Sequence, residues 1–271
     1  MIDIGIITGS GIYELPLAEG ETRVVDSRFG EAEVSVLSYG PWTVGNIARH
    51  GKGHLHLPHT IPHQANLVAL KQLGARAVFA TTATGAVDPG IPLGRPIIFD
   101  DLFFPENRLP NGEACTIFTK PGDPERGHFI VSEPFSPSLR RKMALASENL
   151  RIEATTGGVY GHVNGPRFNT RAELRWLGAV GVTAVSQTCG PEAVLAGELE
   201  LPYALAGFPV NYATGAAEPE PEEELSRLLK LSAEVLPQLV LQTVKVVEEK
   251  DLTFDHGYVY RMEGGIGRRE A

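Results

Sequence analysis

The sequence predicts an α/β protein, one domain built on a largely parallel sheet. Short apolar runs rich in β-branched residues alternate along the chain with stretches of helical length and pattern. Four of the runs end in glycine, hydroxyl, arginine or asparagine clusters, at Ser10, Arg49, Thr82 and Asn211. Open α/β sheets bind ligands at such strand ends. The chain has 271 residues and is 42% hydrophobic, enough to bury a sizeable core.

In chain order, Ile2 to Ile7 reads as a buried strand entering the turn Thr8-Gly9-Ser10-Gly11. A dinucleotide fingerprint is excluded because Glu14 occupies the third glycine position, and no Gly-Lys-Ser/Thr follows to make a Walker loop. A phosphate-type turn and a plain tight turn both fit. Val34 to Ser38 and Thr43 to Ile47 flank Tyr39-Gly40-Pro41-Trp42, a hairpin that delivers Arg49 and His50 to a strand end. Arg49, His50, Lys52 and His54 fall within six residues, with no carboxylate between Glu33 and Asp88. In an acidic chain this local positive field suggests a small anionic ligand, with a solvated loop as the alternative. Arginine offers a planar fork to phosphate, and Gly51 and Gly53 allow close backbone approach. Five of the eight histidines lie within fourteen residues, at 50, 54, 56, 59 and 63. A metal site is one reading, but no HExxH and no nearby Asp or Glu supports it. Anion binding by one or two of them, the others packing, is preferred.

Pro62 to Leu73 is a helix with Pro in its first turn and Gly74 at its stop. Arg76 to Thr82 is a buried strand ending in Thr81-Thr82-Ala83-Thr84-Gly85-Ala86, and Pro96 to Phe99 is another strand. Ser136-Pro137 starts a helix to about Asn149. Thr155 to Val163 is strand-like with a bend at Gly157-Gly158. Thr170 to Glu173 is a capping box opening a helix to about Val180. Val182 to Ser186 is a strand, followed by Gln187-Thr188-Cys189 and a helix to about Leu199. Tyr203 to Val210 is a strand ending in Asn211-Tyr212-Ala213-Thr214-Gly215. Glu222 to Glu249 is a long amphipathic helix that Pro237 should kink or break.

Composition removes several functions. With 24 Lys and Arg against 33 Asp and Glu, the net charge of −9 argues against nucleic acid. No apolar run approaches the roughly 20 residues of a spanning helix, and Met1-Ile2-Asp3 does not begin a signal peptide. Cys115 and Cys189 are far apart and in no metal spacing, which fits free thiols in a cytoplasmic protein. There is no convincing linker, so one domain over 1–271 is expected.

Five motifs then occur in order: Ile4-Gly5-Ile6-Ile7-Thr8-Gly9-Ser10-Gly11; Ala48-Arg49-His50-Gly51-x-x-His54; Thr81-Thr82-Ala83-x-Gly85-Ala86; Gly165-Pro166-Arg167-Phe168; and Pro191-Glu192-Ala193-x-Leu195-Ala196. With Pro58-His59 and Ala65-Asn66 between them, the chain resembles the trimeric purine nucleoside phosphorylase and methylthioadenosine phosphorylase family over about residues 2 to 250. The resemblance implies a single-domain, three-layer αβα nucleoside phosphorylase fold with a mixed, largely parallel sheet. It implies phosphorolysis of a purine nucleoside to free base and ribose 1-phosphate, by a cytoplasmic homotrimer that uses no metal or organic cofactor, phosphate being a co-substrate.

Carried over by position, Ser10, Arg49, His50, Thr82, Ala83 and Thr188 form the phosphate pocket, with His50 and Asn211 catalytic. Phe168 lies against the purine, with Asn211 and Ala213 at its edge. Gln187 stands where the family usually has a Met on the ribose. Leu225 is the best candidate for the 5′ pocket, and His128 for the histidine reaching it from a neighbouring subunit. The adenine-specific branch carries Asp-x-Asp where this chain has Asn211-Tyr212-Ala213, which points to methylthioinosine as substrate. Methylthioadenosine phosphorylase and a general inosine/guanosine phosphorylase are the alternatives within the class. A histidine-cluster metallohydrolase and a non-catalytic nucleoside-binding protein are the alternatives outside it.

Overall fold

A computed structural model describes residues 1–12, 15–16, 20–263 and 266–269; Glu14 and the last two residues of the expected 1–271 domain lie outside the described residues. The chain runs β1 (Ile4–Thr8), β2 (Glu21–Ser27), β3 (Gly30–Tyr39), β4 (Trp42–Ala48), α1 (His63–Gln72), β5 (Ala77–Ala86), β6 (Ile97–Ile98), β7 (Asp101–Phe103) and β8 (Gly127–Val131). It continues through α2 (Pro137–Leu150), β9 (Thr155–Thr156), β10 (Val159–His162), α3 (Arg171–Ala179), β11 (Val182–Ser186) and α4 (Cys189–Glu198). Then follow β12 (Tyr203–Tyr212), α5 (Glu222–Val246), β13 (Gly257–Glu263) and β14 (Ile266–Arg269).

The main sheet has the order β2-β3-β4-β1-β5-β11-β10-β7, with β12 on β5 and the short β6 and β9 beyond it. Pairing is parallel for β1 with β4 and β5, for β12 with β5, and for β10 with β7 and β11. It is antiparallel for β2 with β3, β3 with β4, β5 with β11 and β6 with β12. The sheet is therefore mixed, with a parallel centre. Strands buried on both faces read as unbroken apolar runs, and side chains alternate between the layers. Val78, Ala80, Tyr203 and Leu205 face α1 and α4. Ala77, Phe79, Ala204, Ala206 and Phe208 face α2 and α5. The result is helix, sheet, helix.

β5 is the pivot. β12 runs along one edge, from Val78 to Ala86. The other edge is shared: β1 takes Ala77 to Ala80 and β11 takes Gly85 and Ala86. Among the described residues, Thr81 to Thr84 have no strand partner on that side.

The sequence placed most of these elements within a few residues. The hairpin β3–β4 and the break at Gly157-Gly158, between β9 and β10, are as expected. Beyond the short β7, which was not expected, three features differ. Strand β2, reading Glu-Thr-Arg-Val-Val-Asp-Ser, escaped notice because it is a largely exposed edge strand. The small sheet β14-β13-β8 was also missed. Finally, Pro237 does not break α5, which runs as one helix from Glu222 to Val246. The ring is buried and costs one i to i−4 bond, at the Ala233 carbonyl, while Leu236, Leu239 and Val240 hold the surrounding turn in the core.

Candidate active site

The ends of β1, β4, β5, β11 and β12 open on one cavity of about 470 Å³. Ser10, His50, Thr82, Ala83, Phe168, Gln187, Thr188, Asn211, Ala213 and Leu225 all line it, so ten of the expected site residues are brought together. Arg49 and His128 do not line it.

On the β1 side, Ser10 follows β1 in a turn that must pass close to β5. A Cβ at Gly9 would stand 2.9 Å from the Thr81 carbonyl oxygen and 3.1 Å from Arg49 Nη1, which is why glycine is needed there. Thr82 and Ala83 lie in the unpaired stretch of β5. The Thr81 carbonyl on that edge accepts from Arg49 Nη1 at 2.8 Å, and strand alternation puts the Ala83 amide on the same edge. The Thr82 hydroxyl pairs with the Ser186 hydroxyl at 2.9 Å. Ser186 also lines the cavity and was missed, since nothing in its local sequence marks it. Thr188 is the N-cap residue of α4, but its hydroxyl makes no cap bond and lies 3.4 Å from Cys189 Sγ; the residue lines the cavity near the positive end of the helix.

Arg49 corrects the sequence reading. It is 1% exposed, and its fork grips the carboxylate of Glu192 on α4, through Nε to Oε1 and through Nη2 to Oε2 at 2.9 Å. Tyr203 donates to the same carboxylate at 2.9 Å. Glu192 lies 143 positions along the chain from Arg49, so the run from Glu33 to Asp88 hid it. The guanidinium therefore supports the β1–β5 gap from behind, and its charge is matched by a buried anion. Lys52 has a carboxylate too, Glu33 at 3.8 Å.

The histidines disperse. Burial, with Arg49 behind it, pushes His50 down to about 4. His54 stacks on His50. His63 and His162 are buried, and desolvation pushes both down to about 3. Among the described residues no group of three or more His, Cys, Asp or Glu is placed to hold a metal ion.

At the other end, β12 carries a bulge at Val210, between the pairs Pro209 with Thr84 and Asn211 with Gly85. The extra residue re-aims Asn211 at the cavity. One hydrogen of its amide goes to the Tyr212 carbonyl at 2.9 Å, leaving the other for a ligand. Ala213 is buried against Gly85. Gln187 donates to the Arg167 carbonyl at 3.0 Å, so it pins the loop that holds Phe168 instead of reaching for a ribose. Phe168 is 84% exposed over the opening. Leu225 and Leu229, one turn apart on α5, form an apolar wall. His128 is exposed on β8, outside this chain's own cavity.

The family model described as the phosphorylase superfamily matches residues 3–245. A 6-oxopurine nucleoside phosphorylase of Pyrococcus furiosus is 32% identical over 91% of this chain and 94% of that protein. A Methanopyrus kandleri protein designated "Probable S-methyl-5′-thioinosine phosphorylase" is 32% identical over 92% and 93%. Among solved structures, the methylthioadenosine phosphorylase of Schistosoma mansoni in complex with tubercidin superposes with a TM-score of 0.80 at 25% identity, covering 91% of each chain.

Proposed function

The chain belongs to the phosphorylase superfamily, and from that premise we propose that it cleaves 5′-methylthio purine nucleosides with phosphate, preferring the 6-oxopurine methylthioinosine. The observation that carries this reading is one cavity joining three chemistries. Ser10, His50, Thr82, Ala83 and Thr188 suit an oxyanion at the β5 gap, Asn211 suits a purine edge across β5, and Leu225 with Leu229 suits a thioether. Arg49 acts from behind by fixing Thr81 and Glu192. Phe168 covers the base, and Gln187 positions Phe168.

Phosphate enters as co-substrate. The glycosidic bond breaks with cationic character on the sugar, the bound anion faces that cation, and the Asn211 amide donates to N7 as charge builds on the purine. With one amide hydrogen on the Tyr212 carbonyl, the other is shared between N7 and the carbonyl oxygen of a 6-oxopurine, both acceptors; a carboxylate at 211 or 213 would serve a 6-amino group instead. Among the relatives, one is named for 6-oxopurine nucleosides and one for methylthioinosine, while others are named for methylthioadenosine, so the base preference rests on Asn211. We infer a cytoplasmic homotrimer in which the exposed His128 enters a neighbour's 5′ pocket. No helix among the described residues is long and apolar enough to cross a membrane.

The deciding experiment measures phosphate-dependent base release from methylthioinosine, methylthioadenosine, inosine and adenosine. The expected order puts methylthioinosine first. Equal or better cleavage of methylthioadenosine removes the base assignment, and equal cleavage of inosine removes the thioether assignment. Light scattering at three times the monomer mass checks the assembly.

A further inference from the structure

The ring of His50 is oriented by the protein itself. Its Nδ1 lies 2.8 Å from the His56 carbonyl oxygen, and the His56 amide donates back to the His50 carbonyl at 2.8 Å. A carbonyl only accepts, so Nδ1 carries the hydrogen. The ring stacks on His54 with centroids 4.3 Å apart and planes 11° from parallel. His50 is only 5% exposed, and its neighbour in sequence is the buried Arg49 cation. A second proton would place a charge on a ring that burial has stripped of water. The edge that His50 turns to the cavity is therefore Nε2 with a lone pair. The Ser10 and Thr188 hydroxyls and the Ala83 amide can donate there; His50 accepts.

Resting on the phosphorolytic reading, we propose that this site selects its oxyanion by the proton that the anion carries: the group seated against His50 must bring its own hydroxyl, which donates to Nε2. Hydrogen phosphate and hydrogen arsenate satisfy this. Sulfate has the same shape and charge but no proton, so it sets a lone pair against a lone pair. The matched charges of Arg49 and Glu192 sharpen the effect, because little net positive charge remains to attract any anion indiscriminately.

The proton count closes on this arrangement. An unprotonated phosphate oxygen forms the bond to C1′ as the bond from C1′ to N9 breaks, and that electron pair leaves with the purine. The new ester still carries the hydroxyl proton, and the purine is short of one. Release of that proton to solvent and uptake of one from solvent at the purine gives a neutral base and a dianionic sugar phosphate, with His50 a neutral hydrogen-bond acceptor throughout.

The test is calorimetric titration of phosphate, arsenate and sulfate into the full chain at neutral pH, alongside phosphate-dependent base release. Phosphate and arsenate should bind alike, and sulfate about 10²-fold more weakly, the cost of a buried acceptor left facing another acceptor. His50→Gln, whose amide can turn a donor to the cavity, should shrink that gap to less than about tenfold. Sulfate binding within about threefold of phosphate to the unmutated protein overturns the proposal, whatever the turnover assay shows. Strong discrimination without turnover upholds the anion selectivity and sinks the phosphorolytic reading alone. A variant that does not fold changes nothing, since the unmutated protein already decides.

Discussion

Arg49 illustrates what one residue can disclose and conceal. Its sequence neighbourhood marks it as part of an anion site, but the residue is buried behind the cavity, bonded to the Thr81 carbonyl and Glu192. What was hidden is the partner: Glu192 sits in a Pro-Glu-Ala-x-Leu-Ala run with no local sign of its role. Removing one member of a buried, hydrogen-bonded ion pair strands the other, so Arg49→Ala should cost about 3–5 kcal/mol of stability as well as activity. Denaturant unfolding checks this, and a variant of unchanged stability with only a raised phosphate KM would put the guanidinium in the cavity. The place of Asn211 on the cavity was legible from its position at a strand end, and its residue type sets its hydrogen-bonding options. Asn211→Asp should move preference toward the 6-amino nucleoside, by up to about 10⁴-fold in the ratio of kcat/KM values, as a site built for one pattern rejects the other. Ala213→Asp is a poorer test, because position 213 is buried beside Val163, Leu174 and Val185.

Elements rather than residues explain why the site has its shape. The bulge in β12 is a local irregularity that is not visible as periodicity. The parallel strands were legible because burial on both faces makes them continuously apolar, whereas β2 is a largely exposed, polar edge strand and β8 a short, half-exposed strand of the small second sheet. On α5, Leu225 and Leu229 line the proposed 5′ pocket with side chains that offer a hydroxyl no partner. Methylthioinosine should therefore exceed inosine by about 5- to 150-fold in kcat/KM, the cost of burying an unpaired hydroxyl. Leu225→Ser should narrow that ratio. On α3 the capping box is complete: Thr170 accepts from the Glu173 amide and Glu173 accepts from the Thr170 amide. Thr170→Ala should cost about 1 kcal/mol in unfolding experiments. Because Glu173 also holds Arg167, two residues before Asn169, the cap helps fix the loop that presents Phe168.

For the whole molecule, the buried titratable groups set how stability varies with acidity. His50, His63 and His162 gain a proton near pH 6.5 when unfolded, but only near pH 3 to 4 in the fold. Between those limits the unfolded chain binds more protons, so stability rises with pH and is lost on acidification, by up to about 1.4 kcal/mol per pH unit for each ring. Glu198 acts oppositely. Burial raises its carboxyl to about 7 while Thr116 and Ile117 donate to Oε2 at 2.9 and 2.7 Å. The fold then holds a proton that the unfolded chain releases above about 4.5, so this contribution weakens as pH climbs to about 7. Thermal melting across pH 4 to 8 should show a steep acid limb. Glu198→Gln should raise the midpoint at pH 8 more than at pH 5; equal shifts would exclude the titration. A different measurement reads the split edge of β5. From Thr81 to Thr84 the sheet is a seam, with β1 on one side and β11 on the other. The amide of the half-buried Ala83 at that seam should trade its hydrogen for deuterium faster than the amides of the fully buried Val78 to Ala80. An anion seated there stands in for the absent length of strand, so phosphate should slow that exchange and make the two halves of the sheet open together.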